Sequence, residues 1–298
     1  MSIESQFDQI AVVGVTTLRD LDIKCLQSMS KAKVIIFDCI KDVADTIIDE
    51  TDCLLVNIRT EINASLLAAA RKLRYIGVYG SSLSNIDIEA ATRLRIQVDK
   101  VVNYCDIETA EFVLFVAYAL ARGLLRDDWP EYPYSLYGKT LGIVGMGSVG
   151  MSLCQLVRGI GMRVLYYSRT RKPELEDGCI IYSSLEDVVS NSDIISLQVP
   201  PHTQALTAED FSRMRDSAVL INTCIGQVFR EEDAIAWLSF RPNTVIFDAI
   251  AAQTYERIFS QGNAIRVEHA AYATAESISR RQEKFIQNVR TFIQGIAE

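Results

Sequence analysis

Residues 137–172 read YGKTLGIVGMGSVGMSLCQLVRGIGMRVLYYSRTRK, and this stretch decides the fold. Leu141, Ile143 and Val144 form a short apolar run, as in a strand buried on both faces. Gly145, Gly147 and Gly150 follow as a GxGxxG turn. A helix-length segment comes next, and then a second apolar run from Val164 to Tyr167. Strand, glycine turn, helix, strand is the context a dinucleotide fingerprint requires. Gly145 permits the tight turn, Gly147 lets the backbone approach a pyrophosphate, and Gly150 lets helix and strand pack closely. The helix start at Ser148 and Val149 offers N–H donors and partial positive charge to phosphates. A glycine turn with no ligand is the bland alternative, and the context weighs against it.

The end of the second strand speaks to which dinucleotide. An NAD site places Asp or Glu there to accept from the ribose 2′-hydroxyl. This chain has Ser168, then Arg169, Thr170, Arg171 and Lys172. An acid would repel a 2′-phosphate, whereas a hydroxyl and clustered cations attract one, and arginine grips it with two parallel bonds. The expectation is NADP(H) preferred over NAD(H). A solvated basic loop is the other reading of the same run.

Composition narrows the class. The chain has 298 residues, 49% hydrophobic and 23% charged, which suits an ordinary globular protein of one or two domains. A net charge of −8 argues against nucleic acid and anionic membrane as general partners. With seven cysteines, no CxxC spacing and only two histidines, reduced thiols in a cytoplasmic protein and no metal site are expected. The polar start MSIESQFDQ is not a signal peptide. The apolar stretch Phe112–Leu125 is too short to span a membrane.

Along residues 10–102, apolar runs at Ile10–Val15, Val34–Phe37, Leu54–Ile58, Tyr75–Val78 and Ile96–Val101 alternate with helix-length segments, two of them capped by Asn63 and Asp87. This predicts a small α/β domain with a parallel sheet. Residues 106–125 predict a helix apolar nearly all round, buried on more than one side, which Gly123 does not clearly stop. Arg126–Tyr137 reads as a loop. Further runs at Ile194–Val199, Ala218–Asn222, Thr244–Asp248 and Ile265–Val267 make 138–268 a second doubly wound domain of roughly six or more parallel strands, with a closing helix over Glu276–Ile296.

These landmarks resemble the D-isomer-specific 2-hydroxyacid dehydrogenase family over nearly the whole chain. They are Gly80 with Asn85-Ile86-Asp87, Thr109-Ala110-Glu111, the fingerprint, Leu220-Ile221-Asn222-Thr223 before Gly226, Asp248 and His269. The tract YYSRTRK is most similar to the glyoxylate and hydroxypyruvate reductase branch, which uses NADPH. The resemblance implies an α/β protein of two doubly wound parallel-sheet domains. One is a discontinuous, flavodoxin-like substrate domain, 1–103 plus 275–298. The other is a Rossmann dinucleotide-binding domain, 104–274. It further implies a small-molecule substrate in the cleft between them, a homodimer, and Pro200, Thr223 and Asp248 beside the cofactor.

The family transfers hydride from nicotinamide to a 2-keto acid with an arginine, a glutamate and a histidine, and two of these positions differ here. His269 stands at the proton donor. Ile225 stands where arginine would bind the carboxylate, a charge-assisted contact of about 3 kcal/mol. Gln253 stands at the glutamate. It can orient the imidazole through its carbonyl oxygen but cannot stabilise imidazolium with a full charge. Formate dehydrogenases also pair glutamine with histidine, but they keep the arginine. The family's glycine-rich substrate loop reads Tyr79-Gly80-Ser81-Ser82-Leu83-Ser84, so Tyr79, Ser81 and Ser82 become the substrate candidates. Arg230 or Arg59 could replace the missing anchor; surface arginine is the commoner role for both.

Three functions follow from these residues. The first is an NADP(H)-dependent oxidoreductase acting on an atypical carbonyl-type substrate. The second is an inactive dinucleotide-binding sensor or interaction protein. The third is an ordinary 2-keto acid reductase, ranked last because the anchor is gone.

Overall fold

The apolar runs become parallel strands in two separate sheets. The structure is a computed structural model and describes residues 6–125, 133–240 and 242–296. The chain divides into two compact units, Met1–Tyr104 with Ala275–Glu298, and Cys105–Thr274.

In the first unit the strands are β1 (Ile10–Val13), β2 (Ile35–Phe37), β3 (Cys53–Asn57), β4 (Tyr75–Tyr79) and β5 (Gln97–Lys100). They lie in the order β2-β1-β3-β4-β5, all parallel. This is the flavodoxin-like order. Both expected caps form: Asn63 accepts from the Leu66 N–H and Asp87 from the Ala90 N–H.

The long C-terminal helix Ala275–Ile296 packs on β4. Its stripe Phe285, Ile286, Val289 and Ile293 is buried. Gly77 makes the close approach possible, since a Cβ there would lie 2.8 Å from Leu55 and 3.3 Å from the Phe285 ring. Phe292 meets the ring of Tyr75 at 4.6 Å, and Phe285 meets Tyr79 edge-on at 5.1 Å.

In the second unit the strands are β6 (Thr140–Val144), β7 (Arg163–Tyr167), β8 (Ile180–Tyr182), β9 (Ile194–Leu197), β10 (Val219–Asn222), β11 (Thr244–Phe247) and β12 (Ala264–Arg266). The order is β12-β11-β10-β9-β6-β7-β8, again all parallel. Counted within the unit, this is the Rossmann order with one further strand. The order reverses between β6 and β9, where Val144 pairs with Leu197.

Two features correct the sequence reading. Gly123 does stop the helix, which ends at Ala121. Gly123 has φ +71, its N–H donates to Leu120 O, and the Leu124 N–H donates to Ala119 O. That bond pair is a Schellman cap, and it satisfies two carbonyls the helix end would otherwise orphan. The edge strand β8 is also additional to the expected set. Of the loop expected over Arg126–Tyr137, residues 126–132 lie outside those described.

Candidate active site

The three fingerprint glycines occupy three different environments. Gly145 has φ +103, and a Cβ there would lie 2.2 Å from the Gln198 carbonyl oxygen at the end of β9. Only glycine fits both the dihedral and the space. At Gly150 a Cβ would lie 2.5 Å from Gly145 O and 3.4 Å from Ile143, so this residue sets how closely the helix Ser148–Arg158 meets β6. Gly147 differs from both. A Cβ there meets nothing within 4 Å.

Gly147 is the N-cap of that helix, and no side chain caps its first N–H groups. Open space over an uncapped helix start, at the point where strand order reverses, fits a pyrophosphate. The residues present therefore fit a dinucleotide.

At the end of β7, Ser168 is half-buried and Arg169 and Thr170 are exposed. Arg171 departs from the expected phosphate grip. Its Nε and Nη2 donate to Glu176 at 2.7 and 2.6 Å, and its guanidinium sits 5.5 Å from the Tyr182 ring centroid. The Tyr166 hydroxyl donates to the same carboxylate and accepts the Lys172 N–H. The forked geometry predicted for a 2′-phosphate is spent by Arg171 within the loop.

The remaining positions of the second unit also lie at C-terminal strand ends. After β9 come Pro200, Pro201 and His202. His202 has φ +59, and its ring lies 3.1 Å from where a Gly226 Cβ would sit. The Gln198 amide donates to Ser196 and to the Thr223 hydroxyl, at 2.9 and 3.3 Å. After β10, Thr223 and Ile225 are half-buried.

The loop around Ile225 is fixed from below. Cys224 is buried; its thiol donates to Leu197 O and its N–H to Asn222 Oδ1, and burial pushes its pKa up to about 12. The Tyr255 hydroxyl accepts the N–H groups of Val228 and Phe229. Tyr255, two residues past Gln253, was not singled out in the sequence; an aromatic with a polar tip beside a candidate position was the available signal.

Asp248 is buried and acts as a clamp. One oxygen accepts the Ala251 N–H at 2.8 Å and the other the Ala271 N–H at 2.9 Å. Burial raises its pKa, and these backbone donors partly oppose that. Ala251 opens the turn that bears Gln253, and Ala271 lies two residues past His269. The Ala249 N–H also donates to His269 O at 3.2 Å. One carboxylate thus ties together the segments that carry Gln253 and His269, both of which are exposed.

A family model for the NAD-binding domain of D-isomer-specific 2-hydroxyacid dehydrogenases matches residues 117–270. The chain belongs to the D-isomer-specific 2-hydroxyacid dehydrogenase family. It is 32% identical over 274 residues to a glyoxylate reductase of Thermococcus litoralis, covering 83% of this chain and 82% of that one. The fold matches D-lactate dehydrogenase of Aquifex aeolicus, solved with NAD and lactic acid, at TM-score 0.81 and 20% identity over 96% of each chain. An acyclic imino acid reductase solved with NADPH and D-Arg matches at TM-score 0.81 and 21% identity, covering 96% of this chain and 97% of that one.

As a member of this dehydrogenase family, the chain keeps its substrate-loop candidates in the first unit. Gly80 follows β4, and a Cβ there would lie 2.4 Å from Ile58, so packing requires the glycine. Tyr79 is buried, and its hydroxyl accepts from Thr17 at 3.2 Å. Ser81 is exposed. Ser82 is buried, with its hydroxyl 2.9 Å from that of Ser84 and accepting the Ser84 N–H, so it shapes the turn. Arg59 and Arg230 are both exposed, Arg230 directly before the helix Glu231–Phe240. Among the described residues, no three His, Cys, Asp or Glu side chains gather as a metal site would need, and no helix is long and apolar enough to cross a membrane.

Proposed function

We propose that this chain is an NADP(H)-dependent oxidoreductase acting on a carbonyl-type substrate other than an ordinary 2-keto acid. The observation that carries the reading is the open space over Gly147 at an uncapped helix start, with isoleucine at position 225. The N–H groups of Ser148, Val149 and Gly150 would hold the pyrophosphate. Ser168, Arg169 and Thr170 would receive the 2′-phosphate, with Pro200 and Thr223 nearer the nicotinamide. When bound, the coenzyme supplies hydride. His269 supplies the proton to the substrate oxygen, and the Gln253 carbonyl orients the imidazole. Asp248 sets both segments. Tyr79 and Ser81 contact the substrate, and Ser82 supports them through the turn.

Relatives named glyoxylate reductase make glyoxylate the first probe. The loss of arginine at 225 makes slow turnover the expected result with it. The cysteine usage supports a cytoplasmic home. A homodimer is supported by the exposed stripe Ile107, Phe115 and Tyr118 on the helix Asp106–Ala121, with Leu124 just past its end.

The test is nicotinamide absorbance on mixing protein and NADPH with aldehydes, ketones and imines. Turnover that His269→Ala abolishes is the expected result. The second reading, a dinucleotide sensor without chemistry, is favoured by Ile225 and Gln253 together. NADPH binding with no turnover across the panel would establish it instead.

A further inference from the structure

The second unit has a cavity at the N-terminal edge of its sheet, away from the fingerprint. We propose that this cavity binds a small zwitterion of the amino-acid class, its carboxylate on Arg163 and Arg215 and its ammonium group on Asp187 and Asn191. The site lies within one unit and does not depend on the oxidoreductase reading.

The cavity has a volume of about 410 Å³, within the range of small-molecule sites. Thr140 and Arg163, in its lining, are the first residues of β6 and β7. Gly145 follows the other end of β6, about 17 Å along the strand. The cavity is therefore a different place from the pyrophosphate cradle. Leu165 lies two residues past Arg163, on the same face of β7, and supplies apolar surface. The helix Leu185–Asn191 supplies Asp187 and Asn191, which are four residues apart and so share one helix face. Arg215 comes from the turn before β10. Arg163, Asp187, Asn191 and Arg215 are all exposed.

What each group has left to offer selects the ligand. Arg215 donates through Nη1 to one oxygen of Asp193 at 2.9 Å, and the other oxygen accepts the Thr140 N–H at 2.8 Å. Asp193 thus sets Arg215 beside the start of β6 and leaves Nε and Nη2 to donate elsewhere. Arg163 makes no ion pair and no side-chain hydrogen bond among the described residues. Asn191 spends its amide N–H on Asp187 O at 2.9 Å, which leaves Oδ1 as an acceptor. Asp187 Oδ2 accepts from the Ser184 hydroxyl at 2.7 Å, which leaves its Oδ1. The lining therefore presents two guanidiniums that only donate and, from the helix, two oxygens that accept. A plain anion would meet the charge of Asp187, and a plain cation would meet two guanidiniums. A zwitterion suits both: its carboxylate takes the arginine fork, and its three ammonium N–H groups suit Asp187 and Asn191.

The experiment is thermal denaturation of the full-length protein with the standard amino acids added singly at millimolar concentration, then calorimetric titration of the best stabiliser. At least one should raise Tm by a few degrees, as a ligand of the folded state does, while acetate and methylamine at equal concentration should not. Arg163→Met should weaken binding of that amino acid at least tenfold, and Asp187→Asn severalfold, with NADPH affinity unchanged in both. No stabilisation by any amino acid overturns the proposal, as does equal affinity in wild type and Arg163→Met. Acetate binding as tightly as the amino acid also overturns it, since the cavity would then select negative charge alone. Asp187→Asn keeps the shape of the side chain and an acceptor for Ser184. Should Arg163→Met fail to fold, Asp187→Asn decides, and wild-type affinity there overturns the proposal.

Discussion

Two loops at the C-terminal edge of the same sheet have kept different things. In the turn after β6, Gly145 and Gly150 are required by the dihedral and the packing, and Gly147 leaves open space over the helix start. The loop after β10 has its backbone anchors, through Cys224, Tyr255 and the close fit of Gly226 against His202, while the side chain at 225, proposed here as the anchor position, is isoleucine. Backbone position and side-chain chemistry are separately encoded. A loop can be held in place by residues other than the one that would do the chemistry.

The comparison breaks most sharply at Gly145. Gly145→Ala forces a Cβ into the Gln198 carbonyl at a dihedral L-residues avoid, and should cost about 3 kcal/mol in chemical denaturation. Gly147→Ala should behave oppositely. Nothing lies within 4 Å of its Cβ, so the fold should lose no more than about 1 kcal/mol, alanine being the poorer N-cap. Coenzyme affinity should nonetheless fall about thirtyfold, about 2 kcal/mol, by fluorescence titration. If Gly147→Ala binds NADPH like wild type, the open space is not a phosphate cradle.

The second loop yields the next test. Ile225→Arg with Gln253→Glu should raise glyoxylate reduction at least tenfold, about 1.4 kcal/mol in the barrier. Cys224 and Tyr255 hold the loop without help from Ile225, so the new arginine inherits a preset backbone. No gain would show that the surroundings have been reshaped along with the residue.

Much of the scaffold was legible because buried parallel strands must be apolar on both faces, and the runs at β1, β3, β6 and β9 announce themselves. The edge strand β8 did not. Ile180-Ile181-Tyr182 is three residues long and follows the polar segment 172–179, so no periodicity accumulates. Gly123 was obscured because Leu124 and Leu125 extend the apolar pattern past the cap. At the site, the glycines could be read in advance since each obeys a local rule. The fate of Arg171 and of Ser82 could not, because Glu176 and Ser84 claim them through side-chain geometry that a one-dimensional pattern does not contain.

The smallest expected effect lies at the end of β7, the proposed 2′-phosphate site. Arg171 is held by Glu176, and that guanidinium beside the carboxylate, with the Tyr166 hydroxyl, keeps Glu176 below its ordinary value of 4.5. A carboxylate with a depressed folded pKa contributes its stability above the unfolded value and loses it as pH falls through the folded one. The pair is therefore intact at neutral pH and opens only below about 4.5. Arg171 is exposed and Glu176 half-buried, so salt weakens their hold in part. Glu176→Gln removes the competing charge and should return Arg171 to the 2′-phosphate. The NADPH-over-NADH preference should rise roughly threefold at neutral pH, and less in high salt. An unchanged preference would mean that Ser168 and Arg169 do all the discrimination. A reduced one would mean that Glu176 matters as the strut that shapes this loop through Tyr166 and Lys172, with Arg171 as its fastening.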